Sequence, residues 1–244
     1  MGNYKLTLAY DGSRYAGWQR QGNTGSTIQR KVEETLSRVL DEAVQVSGCG
    51  RTDAGVHARM QVCSFYSSAL SSPEKTLGQL RRYLPEDIAA VRLEAAPPRF
   101  HARLSCREKT YRYRVWRSDC PNVFERKYLY SFPEPLSLSA MRAAADAMTG
   151  THDFAAFSSG RTNKSTVRTV REIVLTENGP ELTMSFTGDG FLYHMVRIMA
   201  GTLLEAGQGK RTAEDVRLAL EKKDRSLAGF TAPAQGLTLW DIQY

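Results

Sequence analysis

The chain has 244 residues, of which 41% are hydrophobic and 24% charged, a composition typical of an ordinary globular protein. Its formal net charge of +7 favours an anionic partner, although basicity alone does not distinguish RNA from DNA or from an acidic protein. No apolar run is long enough to span a bilayer and no signal-peptide layout is present, so we expect a cytoplasmic protein without a membrane partner.

The four cysteines predict no zinc site and no redox dithiol, because no two of them stand in a Cys-x-x-Cys pair. They are Cys49, Cys63, Cys106 and Cys120, and we expect them to be reduced thiols of a reducing compartment. His57 has no second His or Cys at ligand spacing, so we expect a structural histidine and no metal.

Residues 4–10 alternate in the way that predicts a first strand, which ends at the turn-forming pair Asp11-Gly12. The loop at 13–25 mixes aromatic with cationic side chains, which can stack on bases and hold phosphates. Arg14 and Arg20 are therefore candidate RNA-binding residues. An ordinary amphipathic loop is the alternative, although a loop this long in a compact domain is usually functional.

A first helix is predicted to begin at Ser26, with Gln29 three residues later as in a capping box. Its buried face is an apolar row at helical spacing, formed by Ile28, Val32, Leu36 and Leu40. The short apolar run at residues 43–46 then predicts a second strand.

Three glycines lie within residues 48–58, and glycine lets a ligand approach the main chain closely. Two of them bracket Arg51-Thr52-Asp53, and the alternation at 60–66 predicts a strand directly afterwards. Functional groups often lie in such a loop between rigid strands. A surface turn in which Asp53 bonds its own backbone explains the spacing equally well.

Ser72-Pro73 predicts the start of a second helix, with proline at its first position, and residues 88–93 predict the next strand. The order strand, helix, strand, strand, helix, strand is that of a ferredoxin-like unit. Residues 95–98 (Ala-Ala-Pro-Pro) are the best linker candidate, so we divide the chain into halves at 1–104 and 105–244.

A strand at residues 109–117 is predicted to carry Tyr111 and Tyr113 on one face and Arg112 and Arg114 on the other. An aromatic face beside a basic face suits nucleic acid. An antiparallel strand with one solvated face explains the arginines equally well.

The second half then alternates helices and strands. The predicted elements are a helix from Ser137 or Ser139, strands at 167–175 and 181–187 around a hairpin, a helix at 212–220 and a strand at 237–244. Residues 151–164 form a polar loop that we interpret as RNA-facing, with Arg161 as a candidate contact.

The helix predicted at residues 191–206 is apolar around nearly its whole circumference, which indicates a buried helix. Between residues 191 and 204 its one formal charge is Arg197. A buried guanidinium needs a partner, because its removal from water alone is costly. The alternative is an arginine at the helix boundary that reaches solvent along its stem.

Four segments resemble, in the right order, those of the TruA-type tRNA pseudouridine synthases. They are residues 10–21, residues 50–58 (Gly-Arg-Thr-Asp-Ala-Gly-Val-His-Ala), residues 100–103 (Phe-His-Ala-Arg) with 111–113 (Tyr-Arg-Tyr), and residues 191–197 (Phe-Leu-Tyr-His-Met-Val-Arg). One such motif alone would be weak evidence, whereas four spread over the whole chain are highly specific.

From the element order and the resemblance we expect an α+β fold with a mixed, mostly antiparallel sheet. Its helices would pack on one face, and two ferredoxin-like (RRM-like) halves would form a central cleft. The resemblance further implies a homodimer that binds tRNA and isomerises uridines of the anticodon stem-loop.

The resemblance assigns the catalytic nucleophile to Asp53, its cationic partner to Arg197 and the active-site tyrosine that lies against the target base to Tyr111. Tyr113 is the competing tyrosine, because it lies on the same strand face. Arg51 is near enough in sequence to hold a phosphate or the loop. Whether the carboxylate attacks C1′ of the sugar or C6 of the base is left open.

Pseudouridine formation is redox-neutral, so the resemblance implies no cofactor. The chain accordingly carries no glycine-rich dinucleotide fingerprint and no phosphate-binding loop motif. A non-catalytic RNA-binding protein and a phosphoryl-transfer enzyme using Asp53 are the competing functions. The second would require metal-binding carboxylates near Asp53, and Asp41 and Glu42 lie before an intervening strand.

Overall fold

A computed structural model of the protein describes residues 1–160 and 163–244, so Arg161 lies outside the described residues. The chain divides into two compact units, Met1–Arg107 with Thr238–Tyr244, and Glu108–Leu237. The sequence predicts a division into two continuous halves, 1–104 and 105–244. In the structure the last seven residues return to the first unit, where Thr238 and Leu239 pair in parallel with His57 and Ala58.

The described residues form ten strands and five α-helices. The strands are β1 Gly2–Tyr10, β2 Ser47–Gly48, β3 His57–Ser67, β4 Ile88–Ala96, β5 Glu108–Trp116, β6 Tyr130–Ser131, β7 Gly150–Asp153, β8 Val167–Asn178, β9 Glu181–Gly188 and β10 Leu237–Gln243. The helices are α1 Ile28–Leu40, α2 Pro73–Tyr83, α3 Leu138–Met148, α4 Met195–Gly207 and α5 Ala213–Lys222.

In the first unit β1 pairs with β4 and β3, and β3 pairs with β2, all antiparallel. The spatial order β4-β1-β3-β2 arises from the chain order β1-α1-β2-β3-α2-β4, which confirms the predicted ferredoxin-like plan. Its core is the apolar face of β1, with Leu6 and Leu8, beneath the apolar rows of α1 and α2, with Ile28, Leu36 and Leu80.

In the second unit the spatial order is β5-β9-β8-β7, again antiparallel, with the short β6 parallel to β5. The series β5-β9-β8 repeats the arrangement β1-β3-β2 of the first unit. In both series a strand is followed by a helix and then by a hairpin whose second strand returns beside the first. The α+β class with a mixed, mostly antiparallel sheet is therefore confirmed.

The helix that carries Arg197 is buried almost all round, as predicted, and Arg197 is one of its two partly exposed residues. It begins at Met195 rather than at residue 191. His194 has φ 64°, in the left-handed region, so the chain upstream of it does not continue the right-handed helix.

The start of α1 also differs from the prediction. Thr27 is the N-cap and makes no side-chain capping bond, whereas the Ser26 hydroxyl donates to the carbonyl of Arg14 at 2.9 Å. The Gln29 side chain accepts from the amide of Arg20 at 2.9 Å. Both predicted capping residues are used instead to tie the loop at 13–25 to the helix.

Residues 43–46, predicted as a strand, belong to no strand of the sheet. The Val44 amide donates to the Ser37 hydroxyl at 3.0 Å, and the Val46 amide donates to the Glu33 carboxylate at 3.1 Å. Side chains of α1 thus take up backbone donors that a sheet would otherwise use.

Glu42 fixes the connection between β3 and α2. Its carboxylate accepts from the hydroxyls of Ser67 and Ser68 and from the amides of Ser68 and Ala69. These hydrogen bonds, the Ser67 hydroxyl first, lower the pKa of Glu42 to about 2. Their contribution to stability is therefore present above the carboxyl's ordinary pKa and is lost as the pH falls towards about 2.

Over residues 1–160 and 163–244, no helix has the length and apolarity that crossing a membrane requires. The same residues contain all four cysteines, and none of these forms a disulfide.

Candidate active site

The loop that carries Asp53 is held by the segment 12–18, which we call the clasp. The Trp18 amide donates to the Thr52 carbonyl at 3.0 Å, and the Gly55 amide donates to the Tyr15 carbonyl at 3.3 Å. Gly17 has φ 92°, and a β-carbon there would lie 2.6 Å from the Thr52 carbonyl oxygen. The clasp can therefore lie this close to the loop only because residue 17 is a glycine.

Hydrogen bonds from neighbouring strands fix the same loop from its other side. The Tyr10 and Thr52 hydroxyls are 2.9 Å apart, and the Gln61 amide group donates to the Gly50 carbonyl at 2.9 Å. Burial raises the pKa of Tyr10 well above its usual range, so its hydroxyl stays protonated. The loop is thus restrained along its length by fixed neutral partners.

His57, at the first position of β3, is buried against the clasp. Its Nδ1 lies 3.1 Å from the Gly12 amide and 3.2 Å from a carboxylate oxygen of Asp11. A β-carbon on Gly12 would lie 2.0 Å from the Val56 carbonyl oxygen, so this contact also requires glycine. These contacts place the Nδ1 side of His57 against the start of the clasp.

The tip of the loop presents its charged residues towards solvent. Arg51 is exposed and Asp53 is partly exposed, whereas Thr52 between them is buried. The Val56 amide donates to the Asp53 carbonyl at 3.2 Å and closes a turn through Ala54. Asp53 is thus a partly exposed residue on a restrained loop, which suits a reacting group.

The second unit places Tyr111 in β5, opposite Phe186 of β9. Its side chain is 7% exposed, and its ring meets the ring of Phe191 edge-on at 5.3 Å between centroids. Tyr113, on the same strand face, is fully buried and its hydroxyl donates to the Pro233 carbonyl at 2.9 Å. Burial raises the pKa of Tyr113 far above its usual range. Tyr113 therefore has a structural partner for its hydroxyl.

Arg197 is oriented by the strip of chain that follows the helical turn at residues 225–227. Its Nε donates to the Ala232 carbonyl at 2.8 Å, and the Ala232 amide donates back to the Arg197 carbonyl at 3.1 Å. The neighbouring residues Val196 and Ile198 are buried, so the stem of Arg197 leaves the helix in a defined direction. Phe191, against Tyr111, and Arg197 thus belong to one short segment.

The two described arginines of the predicted RNA-binding loop are exposed and each is paired with a carboxylate. Arg14 bonds Asp87 at 2.6 Å, and Arg20 lies 3.4 Å from Glu33. Both arginine side chains are more than half exposed, so a phosphate could compete with the carboxylate for either guanidinium. The remaining predicted contact, Arg161, is not among the described residues.

The sequence prediction missed two features of this region. It did not identify the clasp, since nothing local in residues 12–18 indicates a partner near residue 52. It also placed Phe191 and Tyr193 inside a helix, whereas both precede it. Across the described ranges, no group of three or more His, Cys, Asp or Glu side chains could hold a metal ion.

Comparison with known proteins gives a consistent set of similarities. A family model described as tRNA pseudouridine synthase matches residues 7–104 and 144–244. The chain is 44% identical over 245 residues to a Bacillus sp. (strain KSM-64) protein named tRNA pseudouridine synthase A, and 100% of each chain is covered. Proteins of Clostridium tetani, named tRNA pseudouridine synthase A 1, and Clostridium acetobutylicum, named tRNA pseudouridine synthase A, are 44% and 42% identical with the same coverage.

Proposed function

This chain belongs to the tRNA pseudouridine synthase family, which isomerises uridine to pseudouridine in tRNA, and we propose that it acts on uridines of the anticodon stem-loop with Asp53 as nucleophile. The reaction breaks the bond between N1 of uracil and C1′ of ribose, and joins C5 to C1′. The C5 hydrogen passes to solvent and N1 gains a hydrogen, so the reaction consumes no oxidant or reductant.

The observation that carries the proposal is the set of hydrogen bonds that holds the Asp53 loop in place. The clasp holds it through Thr52 and Gly55, and strand side chains hold it through Thr52 and Gly50. A nucleophile must be positioned closely to gain from proximity, and a loop held at Gly50, Thr52 and Gly55 supplies that positioning. Attack at C1′ and attack at C6 both need an ionised carboxylate, so the role of Asp53 does not depend on which occurs.

In this proposal Arg197 is the cation that orients the carboxylate and favours its ionised form. The hydrogen bond from its Nε to Ala232 supports the role, because it fixes the plane of the guanidinium. Tyr111 is the residue that lies against the target base, and its hydroxyl assists removal of the C5 proton. Tyr113 is fully buried and its hydroxyl donates to the Pro233 carbonyl, which argues against Tyr113 in this role.

Binding of the tRNA backbone is proposed for Arg51, Arg14, Arg20 and Arg161, in keeping with the net charge of +7. We further propose a homodimer in which one tRNA contacts both subunits, and a cytoplasmic location. Light scattering that finds a fully active monomer at low concentration would contradict the dimer.

The Asp53→Asn substitution tests the catalytic assignment. Asparagine is nearly isosteric, so fold and tRNA binding should survive, but an amide is a poor nucleophile and carries no charge. Purified protein is incubated, without metal or cofactor, with unmodified tRNA carrying tritium at uridine C5. We expect Asp53→Asn to release no tritium while its affinity for tRNA stays within a few fold.

The matched control is Asp119→Asn, which removes an exposed carboxylate of the second unit and should leave tritium release unchanged. Arg197→Lys should lower activity steeply without abolishing it, because the charge remains and the planar fork is lost. Substantial turnover by Asp53→Asn, after deamidation back to Asp has been ruled out by mass spectrometry, would mean that another residue starts the reaction.

A further inference from the structure

Tyr193 is an exposed aromatic residue in the segment that leads into α4. Its side chain is 57% exposed, although the segment on either side of it is anchored. Its ring stacks on the ring of His194, with centroids 3.8 Å apart and planes inclined by 26°. The His194 ring therefore covers one face of the Tyr193 ring, and the rest of the Tyr193 ring provides the exposed surface.

The backbone at this point is held in an unfavourable conformation. His194 has φ 64° and ψ 2°, which an L-residue with a β-carbon adopts only at a cost. Hydrogen bonds fix the bend on both sides, from the Ile198 amide to the His194 carbonyl at 2.9 Å and from the Met195 amide to the Leu192 carbonyl at 3.1 Å. Conformations of this kind persist where the surroundings enforce them, and they concentrate at functional sites.

Residues 158–160 lie alongside the Tyr193 ring. The Ser159 amide donates to the Tyr193 carbonyl at 3.3 Å, which brings residues 158–160 alongside the ring. A β-carbon at Gly160 would lie 3.4 Å from Cδ1 of Tyr193. Any larger side chain at residue 160 would therefore lie against the ring.

The position of Tyr193 connects it to the proposed catalytic residues of the second unit. Phe191, two residues earlier, packs against the ring of Tyr111, and Arg197 lies four residues later. The same short segment thus contacts the proposed base-binding tyrosine, exposes an aromatic ring and carries the proposed catalytic cation.

We propose that Tyr193 is a stacking platform for a nucleobase of the tRNA that flanks the target uridine, with His194 supporting the ring from beneath. The proposal rests on the proposed function and extends it to a second nucleotide. An exposed aromatic ring stacks on any base, because every base has a π-face. It positions the substrate strand without selecting one base by hydrogen bonding, and Tyr193 is therefore a positioning residue.

The test measures stacking separately from turnover. Asp53→Asn protein is mixed with an anticodon stem-loop RNA that carries 2-aminopurine beside the target uridine, whose fluorescence falls when the base stacks. We expect quenching by the parent protein, and loss of most of this quenching in Tyr193→Leu. Affinity should fall about 5-fold or more, the lower range for loss of one base–aromatic stack. Tyr193→Phe should retain both, since the ring carries the effect.

The control is Phe124→Leu, which removes a ring that is 92% exposed in the same unit but outside the segment. It should leave affinity and quenching unchanged. Melting temperatures are measured for every variant, and Tyr193→Leu should melt close to the parent because its ring is mostly in solvent.

Three results of the binding experiment would overturn the proposal: no quenching by the parent, unchanged quenching in Tyr193→Leu, or a loss in Tyr193→Phe equal to that in Tyr193→Leu. A lower melting temperature in Tyr193→Leu that accounts for its loss of binding would also overturn it, in favour of a structural role. Failure of the proposed function is a separate result, since it would appear as tritium release by Asp53→Asn.

Discussion

Two tyrosines of β5 share one strand face but make different contacts. Tyr113 donates to the Pro233 carbonyl, and Tyr111 lies edge-on against Phe191. Tyr113→Phe should therefore destabilise the protein by about 1 kcal/mol, the net contribution of a typical hydrogen bond, because the bond to Pro233 is only partly buried, with little change in kcat. Tyr111→Phe keeps the ring and removes the proposed proton acceptor, so kcat should fall about 10²-fold or more.

Urea unfolding and tritium release at saturating tRNA give the two quantities for each variant. The variants Tyr111→Phe and Tyr113→Phe serve as controls for each other, because each substitution removes one hydroxyl from the same strand face. A larger fall in kcat for Tyr113→Phe than for Tyr111→Phe would reverse the assignment. The sequence alone could not make this distinction, since Pro233 lies 120 positions from Tyr113.

At the scale of single elements, the clasp gives a sharp contrast between two glycines. Gly17→Ala would place a β-carbon 2.6 Å from the Thr52 carbonyl oxygen in a backbone conformation with φ 92°. The clasp or the Asp53 loop must then move, and a displacement of about 1 Å at a reacting group can cost about 10²-fold in rate. We expect kcat for tritium release to fall by about this factor, together with a lower melting temperature.

Gly22→Ala is the matched control, because a β-carbon there would have nothing within 4 Å. It changes the same loop region by the same methyl group and should be nearly neutral. If Gly17→Ala retained normal activity and stability, the clasp would not be what restrains Asp53.

The same contrast explains which elements are predictable from sequence. The caps of α2, α3 and α5 are local, and Ser72, Ser137 and Thr212 accept the amide hydrogen bonds expected of them. The prediction for the start of α1 is one residue early and has the wrong contacts, because Ser26 and Gln29 bond a loop whose path the local pattern does not encode. Residues 43–46 have a strand-like composition, but two of their backbone amides donate hydrogen bonds to side chains of α1.

For the candidate site, the glycines around residue 53 are visible in the sequence, and their partners are not. The requirement for Gly17 and Gly12 comes from the backbone of residues 52 and 56, which the fold brings against them. Likewise the left-handed bend at His194 leaves no strong local signal, because residues with a β-carbon seldom adopt positive φ and no glycine or asparagine marks the position.

At the scale of the whole molecule, binding of tRNA should depend strongly on salt, because cationic side chains displace counterions from phosphates. Arg14→Gln and Arg20→Gln should each weaken binding and reduce the slope of log K against log salt by about 0.7–0.9 for each phosphate that the variant no longer neutralises. The rate at saturating tRNA should not change. Fluorescence titrations at several salt concentrations measure the slope.

Arg217→Gln is the control for this series, since it removes an exposed arginine of α5 that is also paired with a carboxylate, Glu214. It should leave the slope unchanged. A loss confined to the saturated rate in Arg14→Gln or Arg20→Gln would place those residues in catalysis rather than in binding.

The return of residues 238–244 to the first unit has a consequence for how the protein is made. That segment pairs with β3 next to the Asp53 loop, the Gln243 carbonyl accepts from the Arg107 amide, and the Tyr244 hydroxyl donates to the Ala102 carbonyl. During synthesis on the ribosome these contacts cannot form until residues 108–237 have been translated. The first unit, although mostly translated first, therefore gains these β10 contacts only after the second unit has been translated.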